Sequence, residues 1–223
     1  MKAMVLAAGK GERMRPLTDT CPKPLQKIKN KALIEHTLEK LQQAGFRDLV
    51  INISHLGGMI EAYLGDGSRY GVHIHYSREA QPLETGGGIA RALPLLCADG
   101  DKPFLLVNSD VWCDVDLSLL RDALVPDCLA HLLLVKNPEY KSKGDFALHG
   151  EKISVLGDGE PGFTYSGIGV IHPQLFKRYP SDKEKFPLLD PLLQAIKNRQ
   201  VSGEIHDGIW VDVGTPERLL ALQ

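Results

Sequence analysis

No apolar stretch in this chain of 223 residues approaches the length of about 18 that a membrane span requires. At the start, one lysine precedes an apolar run that is too short and too soon broken for a secretory signal, so a cytoplasmic protein is expected. A surplus of charge is missing as well: 26 Lys and Arg against 28 Asp and Glu leave a net charge of -2. That balance gives no general attraction for nucleic acid or an anionic membrane. Cysteine is scarce. Cys21, Cys97, Cys113 and Cys128 stand apart, without the close pairing of a zinc site or redox motif, which leaves reduced thiols. Repeats, low-complexity tracts and linkers are absent too, so residues 1–223 are expected to form one body.

What is present is an alternation. Short β-rich runs ("AMVLA", "DLVINI", "VHIHYS", "KPFLLVNSD") are separated by stretches with helical spacing. In "ALIEHTLEKLQQAGF", Leu33, Ile34, Leu38, Leu41 and Ala44 share one helical face and Gly45 supplies a stop. Thr85 and Asp116 are candidate caps for helices through "GGGIARAL" and "LSLLRDAL". His73 and His75 alternate on one strand face, which reads as a solvated face before a metal pair. Such βαβ units predict an α/β fold with a Rossmann-like, mixed but mainly parallel sheet flanked by helices. From about Cys128 onward, strands with brief turns dominate, interrupted by a helix in "LLDPLLQAIKNRQ". The chain therefore divides into halves, 1–127 and 128–223, the second extending the sheet of the first.

The run "LAAGKGERMRPLTDTCPKPL" follows the first strand at the sheet edge where open α/β folds bind ligands. Gly9 and Gly11 let the backbone turn sharply and bring N–H groups to phosphate oxygens. A Rossmann fingerprint fails because Met14 stands where the third glycine belongs and Pro16 follows. A Walker A loop fails because Gly11, not Ser or Thr, follows Lys10. Two readings stay open: a basic surface turn, or a loop that wraps a nucleoside triphosphate with Arg13, Arg15 and Lys23 held by prolines.

Leu6, Gly9, Gly11, Arg13, Pro16, Thr18, Pro22, Lys23 and Pro24 together resemble the signature of the sugar-1-phosphate nucleotidylyltransferases, and later family motifs recur in order. The resemblance implies the nucleotide-diphospho-sugar transferase fold, with 1–127 the nucleotide-binding half and 128–223 the sugar-binding half. It implies a nucleotide site at Ala8, Gly9, Gly11, Glu12, Arg13, Lys23, Gln81 and Gly86, with Arg13 and Lys23 catalytic. Gln81 offers the donor and acceptor that suit the imide edge of uracil or thymine. Three glycines at 86–88 cost helix stability, which reads as room for a close ligand. Asp110 and Asp212, both at strand ends, are the implied ligands of Mg²⁺, which usually takes one or two carboxylates plus phosphates and water. Asn108, Gly144, Asp145 and Glu160 fall where the family holds its sugar. Where relatives often carry Glu-Lys-Pro, this chain has Glu160-Pro161, leaving Lys23, the metal or Lys143 to meet the sugar phosphate.

"ETGGG", "NSD" and "TYSGIGVIHP" resemble the branch that acts on N-acetylmuramate 1-phosphate with UTP in peptidoglycan recycling. Mannose-1-phosphate guanylyl transfer and glucose-1-phosphate thymidylyl or uridylyl transfer are the alternatives. A non-catalytic nucleotide-sensing subunit would be expected to lose Arg13, Lys23 or a metal aspartate, and all are present. The expected partners are UTP and a sugar 1-phosphate, with no nucleic acid and no membrane, in a monomer or weak homo-oligomer.

Overall fold

A computed structural model describes residues 1–179 and 182–223. Strand β1 (Ala3–Leu6) leads through three single-turn 3-10 helices to the hairpin β2 (Lys27–Ile28) and β3 (Lys31–Ala32). Helix α1 (Leu33–Gln43), β4 (Asp48–Ile53), α2 (Gly57–Leu64) and β5 (His73–Arg78) follow. Next come α3 (Glu84–Leu96), β6 (Phe104–Asn108) and β7 (Val111–Cys113). The second half supplies β8 (Ala130–Val135), β9 (Phe146–His149), β10 (Lys152–Val155) and β11 (Thr164–Ile171). It ends with α4 (Gln174–Lys177), α5 (Leu189–Lys197), β12 (Val201–His206), β13 (Trp210–Asp212) and α6 (Pro216–Leu220).

One sheet runs through both halves in the order β5-β4-β1-β6-β11-β8-β12-β10-β9. It is parallel from β5 through β6, and β11 then enters antiparallel, so the expected mixed extension joins the first unit edge to edge. Both faces are covered, which explains the nearly continuous apolar runs. Ala3 and Val5 of β1 point to one core beneath α1 and α2, while Met4 points to the other beneath α3 and α5. Leu33, Ile34, Leu38 and Leu41 are buried as their spacing requires, and Gly45 takes φ +80° behind α1. No described helix is long and apolar enough to cross a membrane. The four cysteines are free thiols.

Two expected caps take other places. Thr85 lies inside α3, which begins after Leu83. Asp116 accepts hydrogen bonds from the amide and hydroxyl of Ser118 at 2.9 and 2.7 Å, and this tight turn opens onto a 3-10 turn, Leu119–Asp122, instead of an α-helix. His73 and His75 are both exposed on β5, a solvated face.

The register fixes what meets at the carboxyl edge. Leu6, the last residue of β1, is paired with Asn52 of β4 on one side and Asn108 of β6 on the other. The segments leaving these three strands build the site.

Candidate active site

The loop after β1 is shaped by Gly11, whose φ of +64° suits glycine. A Cβ there would lie 2.9 Å from Thr18 Cγ2 and 3.2 Å from Lys23 Cβ, so no side chain fits. Thr18 donates its hydroxyl to the Gly11 carbonyl at 2.8 Å, and the Met14 amide donates to the same oxygen at 2.9 Å. Met14 is fully buried against Ile28, Leu33, Val213 and Leu219, anchoring the loop to the C-terminal segment. Three short turns bracketed by prolines thus replace a phosphate-binding helix, and Arg13 is left at the surface with its side chain 67% exposed.

Asp110 and Asp212 come together through a two-stranded sheet apart from the main one. β7 pairs antiparallel with β13, setting Val111 opposite Asp212, and the Val213 amide donates to the Asp110 carbonyl at 2.9 Å. The ammonium of Lys23, 11% exposed, contacts Asp110 Oδ2 and lies 4.0 Å from Asp212 Oδ1. Arg13 approaches Asp212 Oδ2 at 3.8 Å. Among the described residues no cluster of three or more His, Cys, Asp or Glu side chains forms a metal cage. Two converging carboxylates with an ammonium already against them nevertheless suit a divalent cation that completes its shell with phosphates and water.

Two cavities open on either side of this centre. The first, about 470 Å³, is lined by the loop from Ala7 to Arg13, by Lys23, and by Pro82, Glu84 and Thr85 at the start of α3. The second, about 400 Å³, is lined by Tyr140, Lys141, Thr164, Tyr165, Ser166 and Trp210 among others. Arg13, Asn108 and Asp110 line both. A group in one cavity can therefore reach a group in the other across a wall that carries a guanidinium, an amide and a carboxylate.

Residues 2–126 match the family model described as nucleotidyl transferase. The chain belongs to the nucleotidyl transferase family. Over its whole length it is 48% identical to an N-acetylmuramate alpha-1-phosphate uridylyltransferase of Neisseria meningitidis, covering 97% of that protein. A mannose-1-phosphate guanyltransferase of Yarrowia lipolytica is 33% identical over 99% of the chain, which spans 62% of that relative's length. In structure the chain resembles a putative glucose-1-phosphate thymidylyltransferase from Bacillus anthracis, with a TM-score of 0.85 at 21% identity. That likeness covers 100% of this chain and 93% of the other. HddC from Yersinia pseudotuberculosis gives a TM-score of 0.78 at 20% identity, covering 99% and 97%. The two structural likenesses carry the fold.

In this nucleotidyl transferase, Ala8, Gly9, Gly11, Glu12, Arg13 and Lys23 all line the first cavity. Gln81 is exposed beside Pro82 and does not itself line it. Gly86 is buried under Phe186: a Cβ would lie 2.6 Å from that ring, and one on Gly87 would lie 2.1 Å from the Glu184 carbonyl. At Gly88 the added atom would meet Glu79 Oε1 at 2.7 Å and Asn52 Nδ2 at 2.8 Å. Close passage of the chain's own segments gives each of the three glycines a packing reason.

A buried relay escaped the sequence reading. Asn52 Oδ1 accepts the Ala7 amide at 2.9 Å, its Nδ2 donates to Glu79 Oε1 at 2.7 Å, and Glu79 Oε2 accepts the Leu83 amide at 2.9 Å. The relay ties the glycine loop to the start of α3, the two sides of the first cavity. A polar residue within the apolar run "LVINI" was the available signal.

On the sugar side, Asn108 lies in the shared wall, whereas Gly144, Asp145 and Glu160 lie outside the lining of the second cavity. Gly144 packs on the backbone of Gly162 and Phe163, each 2.4 Å from where a Cβ would stand. Asp145 Oδ2 accepts the Tyr165 amide at 2.9 Å and an N–H of Lys141 at 2.6 Å. Glu160 closes its own turn by accepting the Gly157 amide at 2.9 Å and pairs with His149 Nε2, also at 2.9 Å. Lys143 is exposed, and the lysine that lines the cavity is Lys141. Arg218, also unmarked by the motifs, donates to Asp212 and lies over the Tyr140 ring at 3.8 Å from its centroid. Burial pushes the Tyr165 phenol well above its usual range, keeping it neutral.

Proposed function

We propose that this chain transfers UMP from UTP to N-acetyl-α-muramate 1-phosphate, giving UDP-N-acetylmuramate and pyrophosphate. The observation that carries the reading is the 48% identity, over the full chain, to the uridylyltransferase of that name. Two cavities sharing one charged wall support the two-substrate reaction. UTP occupies the first and the sugar phosphate the second, with Gln81 at the lip reading the imide edge of uracil.

The attacking sugar phosphate is already anionic at neutral pH, so no proton has to be removed from it. Alignment and charge stabilisation then supply the acceleration. Amides of the loop from Ala8 to Gly11 bind the triphosphate, Arg13 stabilises the departing pyrophosphate, and Lys23 draws the α-phosphate and sugar phosphate together. Asp110 and Asp212 would hold Mg²⁺, whose chemistry is to neutralise the phosphates and template their alignment. The reaction fits a cytoplasmic step that returns muramate to cell-wall synthesis.

Pyrophosphate release measured against a panel of triphosphates and sugar 1-phosphates tests the assignment. Release with UTP and N-acetylmuramate 1-phosphate above all other pairs is expected. A preference for GTP with mannose 1-phosphate would transfer the chain to the other branch, and no release with any pair would remove the catalytic reading.

A further inference from the structure

We propose that Lys141 is the specificity-determining residue for an acidic sugar, meeting a second anionic group of the substrate that is separate from its phosphate. The proposal rests on the function proposed above and names how its sugar is told from a neutral one. N-acetylmuramate 1-phosphate carries two anions, the phosphate and the carboxylate of its lactyl ether. Arg13 and Asp110 stand at the wall shared by the cavities, with Lys23 against them on the side of the first cavity and Asp212 on the side of the second, and these groups serve the phosphates. Away from that centre the lining of the second cavity is largely neutral, with Pro138, Tyr140, Thr164, Tyr165, Ser166 and Trp210. Lys141 and Arg13 are the cations in its lining among the described residues, and of these Lys141 alone is absent from the first cavity. A carboxylate brought out of water into such a cleft needs a charged hydrogen-bond donor.

The ammonium is held for that task. Asp145 Oδ2 takes one of its three N–H groups at 2.6 Å and is itself fixed by the Tyr165 amide at 2.9 Å, so this loop lysine is anchored through Asp145 to β11. Two N–H groups remain for a ligand, and the side chain is 31% exposed, accessible from the cavity without being free in solvent. Beside Asp110 and Asp212 the same role would be spoiled, because both repel a second carboxylate.

The test compares kcat/KM for N-acetylmuramate 1-phosphate with that for N-acetylglucosamine 1-phosphate, which lacks the lactyl acid, in the wild type, Lys141→Met and Lys141→Arg. In Lys141→Met the value for the acidic sugar is expected to fall about tenfold to a hundredfold, the scale of one charge-assisted hydrogen bond, chiefly through KM, while the neutral sugar is unaffected. Lys141→Arg is expected to keep most of the discrimination. Equal losses with both sugars would assign Lys141 to the phosphate or to folding, and no change with either would show that it meets nothing; each overturns the proposal. Failure of the wild type with both sugars would instead overturn the function on which it rests.

Discussion

One guanidinium nitrogen of Arg218 donates to both the backbone carbonyl and Oδ2 of Asp212, at 2.9 and 2.8 Å. The Thr215 hydroxyl accepts the Arg218 amide at 3.4 Å at the start of α6, and Tyr140 covers the guanidinium, so the carboxylate of Asp212 is turned toward the shared wall from behind. A metal ligand held this way loses affinity when its outer partner is removed, typically by about tenfold to a hundredfold.

Arg218→Met is therefore expected to raise the Mg²⁺ concentration needed for half-maximal activity by about tenfold or more, with kcat at saturating metal much less affected. Arg218→Lys should recover part of the loss, because an ammonium keeps the charge but lacks the rigid fork. Titrating activity against magnesium reads the effect, and an unchanged midpoint in Arg218→Met would refute it.

Arg13 has no buried contact to lose, so its removal separates catalysis from folding. Arg13→Ala is expected to lower kcat by about a hundredfold or more, the scale of a lost transition-state donor, with the melting temperature unchanged. Asp212→Ala should lower kcat on the same scale and lose its response to magnesium. Full magnesium-dependent turnover in Asp212→Ala would reject the metal assignment.

Asn52 makes the opposite kind of prediction. Its side chain is 3% exposed and satisfies the Ala7 amide on one side and the Glu79 carboxylate on the other. Asn52→Ala leaves both short of a partner, at about 1–3 kcal/mol for each buried group. Urea unfolding should show a lower midpoint with an unchanged slope, and KM for the triphosphate should rise because the loop and α3 are no longer tied. A midpoint equal to that of the wild type would mean that the relay contributes nothing.

What the sequence made legible was local. Period-two and period-3.6 patterns placed the strands and α1, because burial on both faces of the sheet and on one helix face writes itself into spacing. The glycine loop was legible through fixed positions whose steric reason, Gly11 against Thr18 and Lys23, is contained in a few residues. Contacts between distant segments were not. The glycines at 86–88 answer to Phe186, Glu184 and Glu79, and nothing in "ETGGG" announces which segment passes close. Lys141 and Lys143 look equivalent in "KSKGD"; only the bond from Tyr165 to Asp145 decides which one the cavity receives. Asp110 and Asp212 were legible as strand-end acids, but their meeting depends on the pairing of β7 with β13.

Stability should also fall on mild acidification, through His131. The ring is 6% exposed, its Nδ1 lies 3.0 Å from Ser202 Oγ, and Nε2 has no hydrogen-bond partner among the described residues. Burial holds its pKa below the usual histidine value, opposed by Glu204 and Glu151. His172 is lowered in the same direction, again first by burial. A native state with lowered histidine pKa values binds fewer protons than the unfolded chain as pH drops through about 6.5, so stability is complete above that value and declines below it. Urea midpoints compared at about pH 7.5 and pH 5.5 should show the decline, above the range where ordinary carboxylates titrate. In His131→Gln, whose amide can still meet Ser202 but takes up no proton, the decline should shrink to the part left by His172. An equally steep decline in that variant would place the acid sensitivity elsewhere.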